Sequence, residues 1–190
     1  MSYGRNFFIA LVALALFPTL ACQTGSRARR VGVMDFAINL PDGQPSSLQK
    51  SIPDTLTASL ANEASSPTGP VVDVIERDAV EAASTKGKPW WRFYKLRTAP
   101  LQDVGKRIGA DYLIVGSLNK YEGTYVLNSR LFSVATANVV PETAIERSFD
   151  REEDIVPSLQ SVARSMAYQV RQYEIRVQKA KQAYSSQSMN

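Results

Sequence analysis

Hydrophobic positions along the chain change period several times, and each change marks an element. Val31-Gly32-Val33-Met34 carries no polar side chain, the pattern of a strand covered on both faces. That strand is predicted over about 30–38, with Val31, Val33 and Asp35 on one face and Met34 and Phe36 on the other. After the turn-rich Leu40-Pro41-Asp42-Gly43-Gln44-Pro45, apolar residues recur every fourth position at Leu48, Ile52, Leu56 and Leu60. They predict a helix capped by Ser46 or Ser47 and ending near Ala64. Pro53 lies inside this pattern and predicts either a kink or a start near Ser51.

Ser65-Ser66-Pro67-Thr68-Gly69-Pro70 breaks the chain, and Val71-Val72-Asp73-Val74-Ile75 reads as the second strand. A short helix is predicted over 79–84, then an irregular basic and aromatic segment to residue 98. The next helix covers 100–108, with Pro100 in its first turn and Gly109 as its stop. Residues 111–118 are predicted as a central strand. Alternation over 124–134 and again over 139–149 predicts half-exposed antiparallel strands around a turn at 135–138. Ile155, Leu159, Val162, Met166, Val170, Tyr173 and Val177 keep helical spacing, and the polar residues 185–190 are expected to fray. The prediction is an α/β fold: a mixed sheet of about five strands, helices packed on it, and a long C-terminal helix.

The first residues follow a different logic. Arg5 is the only charged side chain before an apolar run from Phe7 to Phe17, and Pro18-Thr19-Leu20-Ala21-Cys22 follows. A short basic start, an apolar stretch too short to span a bilayer and a small residue before the cut form an export signal. Cys22 directly after Ala21 resembles a bacterial lipobox, in which the thiol receives a diacylglycerol and becomes the first residue. Thr19 and Leu20 depart from that pattern, which prefers an aliphatic and a small residue there. The expected organisation is a signal peptide over 1–21, a tether over 22–30 and an α/β domain over 31–184. Gln23 after Cys22, where an Asp would retain the protein at the inner membrane, fits outer-membrane sorting by analogy with enterobacterial lipoproteins.

Composition narrows the chemistry. Cys22 is the only cysteine and there is no histidine, so neither a disulfide nor any Ser–His, Cys–His or His-metal system is available. The net charge of +4 is too small and too dispersed to argue for nucleic acid. No cofactor or metal is expected.

Four segments in order carry a resemblance. Val31-Gly32-Val33-Met34-Asp35-Phe36, Val74-Ile75-Glu76-Arg77, the run Ile108-Gly109-Ala110-Asp111-Tyr112-Leu113-Ile114-Val115-Gly116-Ser117-Leu118 followed by Tyr121, and Arg130-Leu131-Phe132-Ser133-Val134-Ala135-Thr136 resemble strands of CsgG-type outer-membrane lipoproteins and of the TolB N-terminal domain. The family's Gly after Thr136 is Ala137 here. The resemblance implies a lipoprotein facing the periplasm with an envelope protein as partner; a homo-oligomer is compatible with it. LpoB, an activator of penicillin-binding proteins, is built on a similar domain, which supplies the alternative reading. Asp35, Glu76 and Asp111 fall at strand ends, where carboxylates accept backbone N–H groups or pair with Arg77. An enzyme would instead need a pair such as Glu76 and Asp111 in one cleft.

CsgG-type pores send a hairpin into the membrane after the strand ending near Tyr121. Here Tyr121-Glu122-Gly123-Thr124-Tyr125 passes straight into the next strand, whereas each membrane-crossing strand takes about 9–11 residues. A periplasmic relative without a pore is expected, with the Cys22 lipid as its membrane attachment. The segment 86–97 departs from the family pattern and holds both tryptophans. Trp90, Trp91, Arg92, Phe93 and Tyr94 are candidate partner-binding residues, being typical interface anchors; they equally suit covering the sheet. On the last helix, Glu174, Arg176, Lys179 and Lys181 mark a second candidate surface, against a simple helix packed along one stripe.

Overall fold

The structure is a computed structural model that describes residues 27–41, 47–65, 72–84 and 99–187. In chain order the elements are β1 (Arg29–Val33), β2 (Ala37–Asn39), α1 (Leu48–Ala64), β3 (Val72–Val74), α2 (Arg77–Ser84) and α3 (Ala99–Ile108). They continue with β4 (Tyr112–Tyr121), β5 (Thr124–Ser133), β6 (Asn138–Val139), β7 (Ile145–Phe149), a 3-10 turn at Glu152–Asp154 and α4 (Ile155–Gln187). The strands make one mixed sheet in the order β3-β1-β4-β5-β6, with β2 also on β4 and β7 also on β5. β1 pairs in parallel with β3 and β4, and the sheet turns antiparallel at β5. The α/β class and the long last helix are as the sequence predicts. The sheet has seven strands rather than about five, because two predicted strands each break in the middle.

The first break is a one-residue bulge. Val33 pairs with Ile114 and Ala37 with Ser117, so four steps on one chain match three on its neighbour. One extra residue inverts the alternation of faces beyond it. Phe36, expected beside Met34, therefore lies on the same side as Val31 and Val33, and Met34 alone turns to the other. The ring of Phe36 fits because its neighbour on β4 is Gly116. A Cβ there would overlap Phe36 and the backbone oxygen of Asn128.

The second break falls between β6 and β7. Val139 faces Phe132 and Ile145 faces Ser129, so the predicted continuous strand over 139–149 carries surplus residues that leave the ladder. Thr143 secures the excursion from inside. Its buried hydroxyl donates to the Val140 carbonyl at 2.7 Å and accepts from the Leu131 N–H at 3.2 Å, and Glu142 takes a positive φ of 62°. At the β4–β5 hairpin Tyr121 pairs with Thr124 across Glu122 and Gly123, at φ 49° and 92°. Positive φ at both central residues is the two-residue turn that matches strand twist. Nothing is inserted there, as expected.

Helices fill both sides unequally. α1 and α4 cover one face with a core that includes Leu56, Leu60, Ile114, Leu127, Leu159 and Met166. α1 starts at Leu48 rather than Ser51 and keeps Pro53 as a buried core residue inside it. α2 and α3 cover the other face over a smaller core around Met34, Val80, Val104, Leu113 and Phe132. Gly105 on α3 lies so near Val134 that a Cβ would overlap it. Gly109, at φ 64°, ends α3.

Candidate functional site

Cys22, Trp90, Trp91, Arg92, Phe93 and Tyr94 lie outside the described residues. The strand-end carboxylates lie within them and are absorbed structurally. Arg77, the first residue of α2, is mostly buried and meets three carboxylates: Asp35 in the bulge, in a very short contact, Asp54 of α1 at 3.3 Å and Glu81 one turn on at 3.2 Å. This guanidinium ties β1, α1 and α2 together at the C-terminal end of β1. Parallel α/β sheets often bind ligands there, but here the position is filled by the protein's own ion pairs.

Asp111 accepts the Arg30 backbone N–H at 2.9 Å and lies 3.7 Å from the Arg29 guanidinium. Glu76 is exposed just after β3. Val74 and Tyr112 flank Val31 on opposite sides, so β1 separates Glu76 from Asp111 and the two are displaced toward opposite strand ends. Glu76 and Asp111 therefore do not form a carboxylate pair in one cleft. Among the described residues there is also no cluster of His, Cys, Asp and Glu able to hold a metal ion.

A polar constellation unforeseen in the sequence lies where β1 begins. Arg29 Nη2 donates to Glu174 of α4 at 2.7 Å, and the Tyr112 hydroxyl donates to the other Glu174 oxygen in a very short contact. Tyr173 stacks edge-on against Tyr112 with ring centroids 6.0 Å apart. Burial, then the hydrogen bond to the Glu174 carboxylate, push the Tyr112 phenol well above its usual range. Burial draws the Arg29 pKa down, but Glu174 and Asp111 outweigh it and the net shift is upward. The cluster clamps the last helix to the strand that follows the tether. The one trace in the sequence is that Glu174 is the only acid in a basic stretch, 171–187.

Among the described residues two surfaces remain open. Beyond the reach of α2 and α3, β4 and its neighbours present a polar face. Asn39 Nδ2 donates to Asn119 Oδ1 at 2.8 Å, and Asn119 Nδ2 to Ser117 Oγ at 3.1 Å. Asn128 and Glu146 continue the row from Ser117. No helix among the described residues covers it. The other surface is a shallow groove of about 300 Å³ along α4, lined by Pro141, Glu142, Tyr173, Arg176, Val177 and Ala180. No described helix is long and apolar enough to cross a membrane.

Sheet, helices and carboxylates held in ion pairs and backbone bonds define, among the described residues, an α/β scaffold whose open features are surfaces. No family model matches the chain. No curated protein matches it either. Among solved structures it is similar to the lipoprotein GNA1162 of Neisseria meningitidis, at 12% identity over 70% of this chain and 91% of that one, TM-score 0.49. It is similar to the LpoB C-terminal domain of Escherichia coli, at 14% identity over 70% and 90%, TM-score 0.48. TolB of Acinetobacter baumannii matches at 8% identity over 74% of this chain and 27% of its own, TM-score 0.42. Likenesses of this grade carry no inference about function. Ala137, where the resemblance expects Gly, takes a left-handed conformation at φ 55°.

Proposed function

We propose that the chain is a membrane-anchored periplasmic lipoprotein, tethered through a lipid on Cys22 to the outer membrane, that acts without catalysis as a protein-interaction or assembly factor of the cell envelope. The observation that carries this reading is the fate of the polar residues. Asp35, Arg77 and Asp111 are consumed in holding elements together, while no helix among the described residues covers the amide and hydroxyl row of the sheet. Trp90, Trp91, Arg92, Phe93 and Tyr94, in the connection between α2 and α3, are the proposed anchors of that partner. Cys22→Ser should move the protein from the membrane to the soluble periplasmic fraction; retention in the membrane rejects the anchor. Crosslinking from residues 90–94 in intact cells, with mass spectrometry of the captured protein, identifies the partner.

The second reading, LpoB-like activation of a penicillin-binding protein, uses the same surfaces with a defined partner. It rests on the order of the strand motifs in the sequence, since the structural likeness to the LpoB domain carries no inference about function. Against it stands the tether: residues 23–30 reach at most about 28 Å when extended, so the synthase must come close to the membrane. Co-purification with a synthase, lost on substitution of Trp90 and Trp91, favours this second reading.

A further inference from the structure

The clamp between Arg29 and Glu174 puts two chain segments at one end of the domain. The tether enters there, and α4 passes Glu174 and continues to Gln187. At about 1.5 Å per residue this overhang extends about 20 Å past the clamp. From 178 onward every described residue of α4 is exposed. The stripe that packs the core through Leu159, Val162, Met166 and Val170 nevertheless continues in step as Tyr173, Val177, Ala180 and Tyr184. Tyr184 is 77% exposed. An apolar stripe that outruns its own core needs another surface.

Charge indicates which surface. Lys179 and Lys181 are exposed on the overhang, Lys106 and Arg107 on the last turn of α3, and Arg27 just before β1. The α3 terminus belongs to the same end, since the Gly109 carbonyl accepts from the Arg30 guanidinium at 3.1 Å. The hairpin end is of opposite sign: Glu122, Asp150, Glu152, Glu153 and Asp154 gather near the start of α4, with Lys120 and Arg151 among them. At the tether end Asp73, Asp111, Glu142 and Glu174 are answered by Arg29, Arg30 and Arg176, so the further cations leave that end net basic, while the hairpin end is net acidic. Lys181 lies about 60° round the helix from Tyr184, so a second copy packed on this stripe would crowd like charges along its edge, and self-pairing through it is disfavoured.

We infer that the tether-side end docks on anionic phospholipid headgroups through the overhang of α4, with Lys179 and Lys181 at the phosphates and Tyr184 in the interfacial layer. This rests on the reading of Cys22 as lipidated. Residues 22–29 then span at most about 25 Å, a length matched by the overhang, which brings the helix end to the headgroup layer. A basic patch beside a lipid is a recurring two-part attachment, and tyrosine favours the headgroup depth. The docking would fix the orientation of the domain, with the acidic hairpin end turned away from the membrane.

The test uses the chain after signal removal carrying Cys22→Ser, so that no lipid contributes, in co-sedimentation with vesicles. Binding is expected to mixed phosphatidylglycerol–phosphatidylcholine vesicles at low salt, with release at high salt and little binding to phosphatidylcholine alone. Each lysine at an anionic surface contributes roughly five-fold in partitioning, so Lys179→Ala with Lys181→Ala should lower it roughly 25-fold. Both positions are exposed, and circular dichroism should be unchanged. Tyr184→Ser should weaken binding while leaving its salt dependence. No binding to the anionic vesicles, equal binding to both lipids, or full binding by the double lysine variant overturns the proposal. So do dimers in sedimentation velocity that Tyr184→Ser abolishes, because a second copy then owns the stripe. Fractionation of Cys22→Ser in cells tests the anchor separately, and its outcome leaves the vesicle result standing.

Discussion

On one face of the sheet, α1 and α4 close a core that runs from Leu48 to Val170; on the other, α2 and α3 cover the part nearest Met34 and Phe132 and leave the rest polar. The residues of β4 show the contrast strand by strand. Tyr112, Ile114 and Leu118 point to the first face, all buried; Leu113 and Val115 point to the second, and then Ser117 and Asn119 replace apolar residues in the same alternation. Among the described residues the larger core lies on one side and the polar sheet face on the other. A domain that binds through a sheet face needs such an imbalance, because the face that recognises a partner cannot also carry the fold.

Truncation should separate the faces most clearly. Leu56→Ala, fully buried between α1 and the sheet, should cost about 4–5 kcal/mol, the upper part of the usual range for such a deletion, and Leu101→Ala on α3 about 2 kcal/mol, the lower part. Urea midpoints measure both, and equal losses would remove the proposed asymmetry. A smaller effect belongs to the clamp at the edge of the larger core. Tyr112→Phe removes a hydrogen bond to a carboxylate and should cost about 1.5–3 kcal/mol. The folded protein holds this phenol protonated above its ordinary pKa. Its contribution is therefore complete below about pH 10 and is lost as pH rises from there toward the folded value. Stability titrated from pH 8 upward should fall in the parent chain, and the fall should be reduced in Tyr112→Phe. The smallest change is expected at Ser129, whose hydroxyl is buried on the first face with no partner among the described residues. Ser129→Ala should leave stability unchanged or raise it by up to about 1 kcal/mol; a clear loss would reveal a bond the hydroxyl makes in solution.

Local periodicity made most of this fold legible. The i, i+4 row from Leu48 to Leu60, the Ile155–Val177 row and the alternation of β5 each report a face directly, and the elements stand where those rows lie. Parity was illegible at the bulge, because Val31 to Phe36 has the same apolar content whether or not a residue is skipped against β4. The excursion at 140–144 was hidden for a similar reason: Val140 and Ala144 kept the alternation going in sequence after the ladder had ended. Asp35 was readable as one of three carboxylates at strand ends that could pair with Arg77 or accept backbone N–H groups. Arg29, Tyr112 and Glu174 were not, since partners 145 residues apart leave no local pattern. Of the candidate site, the lipobox-like Cys22 and the aromatic run 90–94 rest on sequence alone, whereas the open sheet row and the α4 overhang needed three dimensions.

The bulge between β1 and β2 behaves like a reading-frame shift. Everything up to Val33 is written in one phase and everything from Phe36 in the other, and the fold depends on that change of phase. A single-residue deletion at Met34 or Asp35 would erase that shift rather than carry it downstream: two steps from Val33 to Phe36 would match two from Ile114 to Gly116, and Phe36 would keep its place above Gly116. The loss would fall on Met34 in the opposite core or on Asp35 at Arg77. The surplus residue is what lets one short segment serve both cores and still spare a carboxylate; at this point the count of residues is itself structural information.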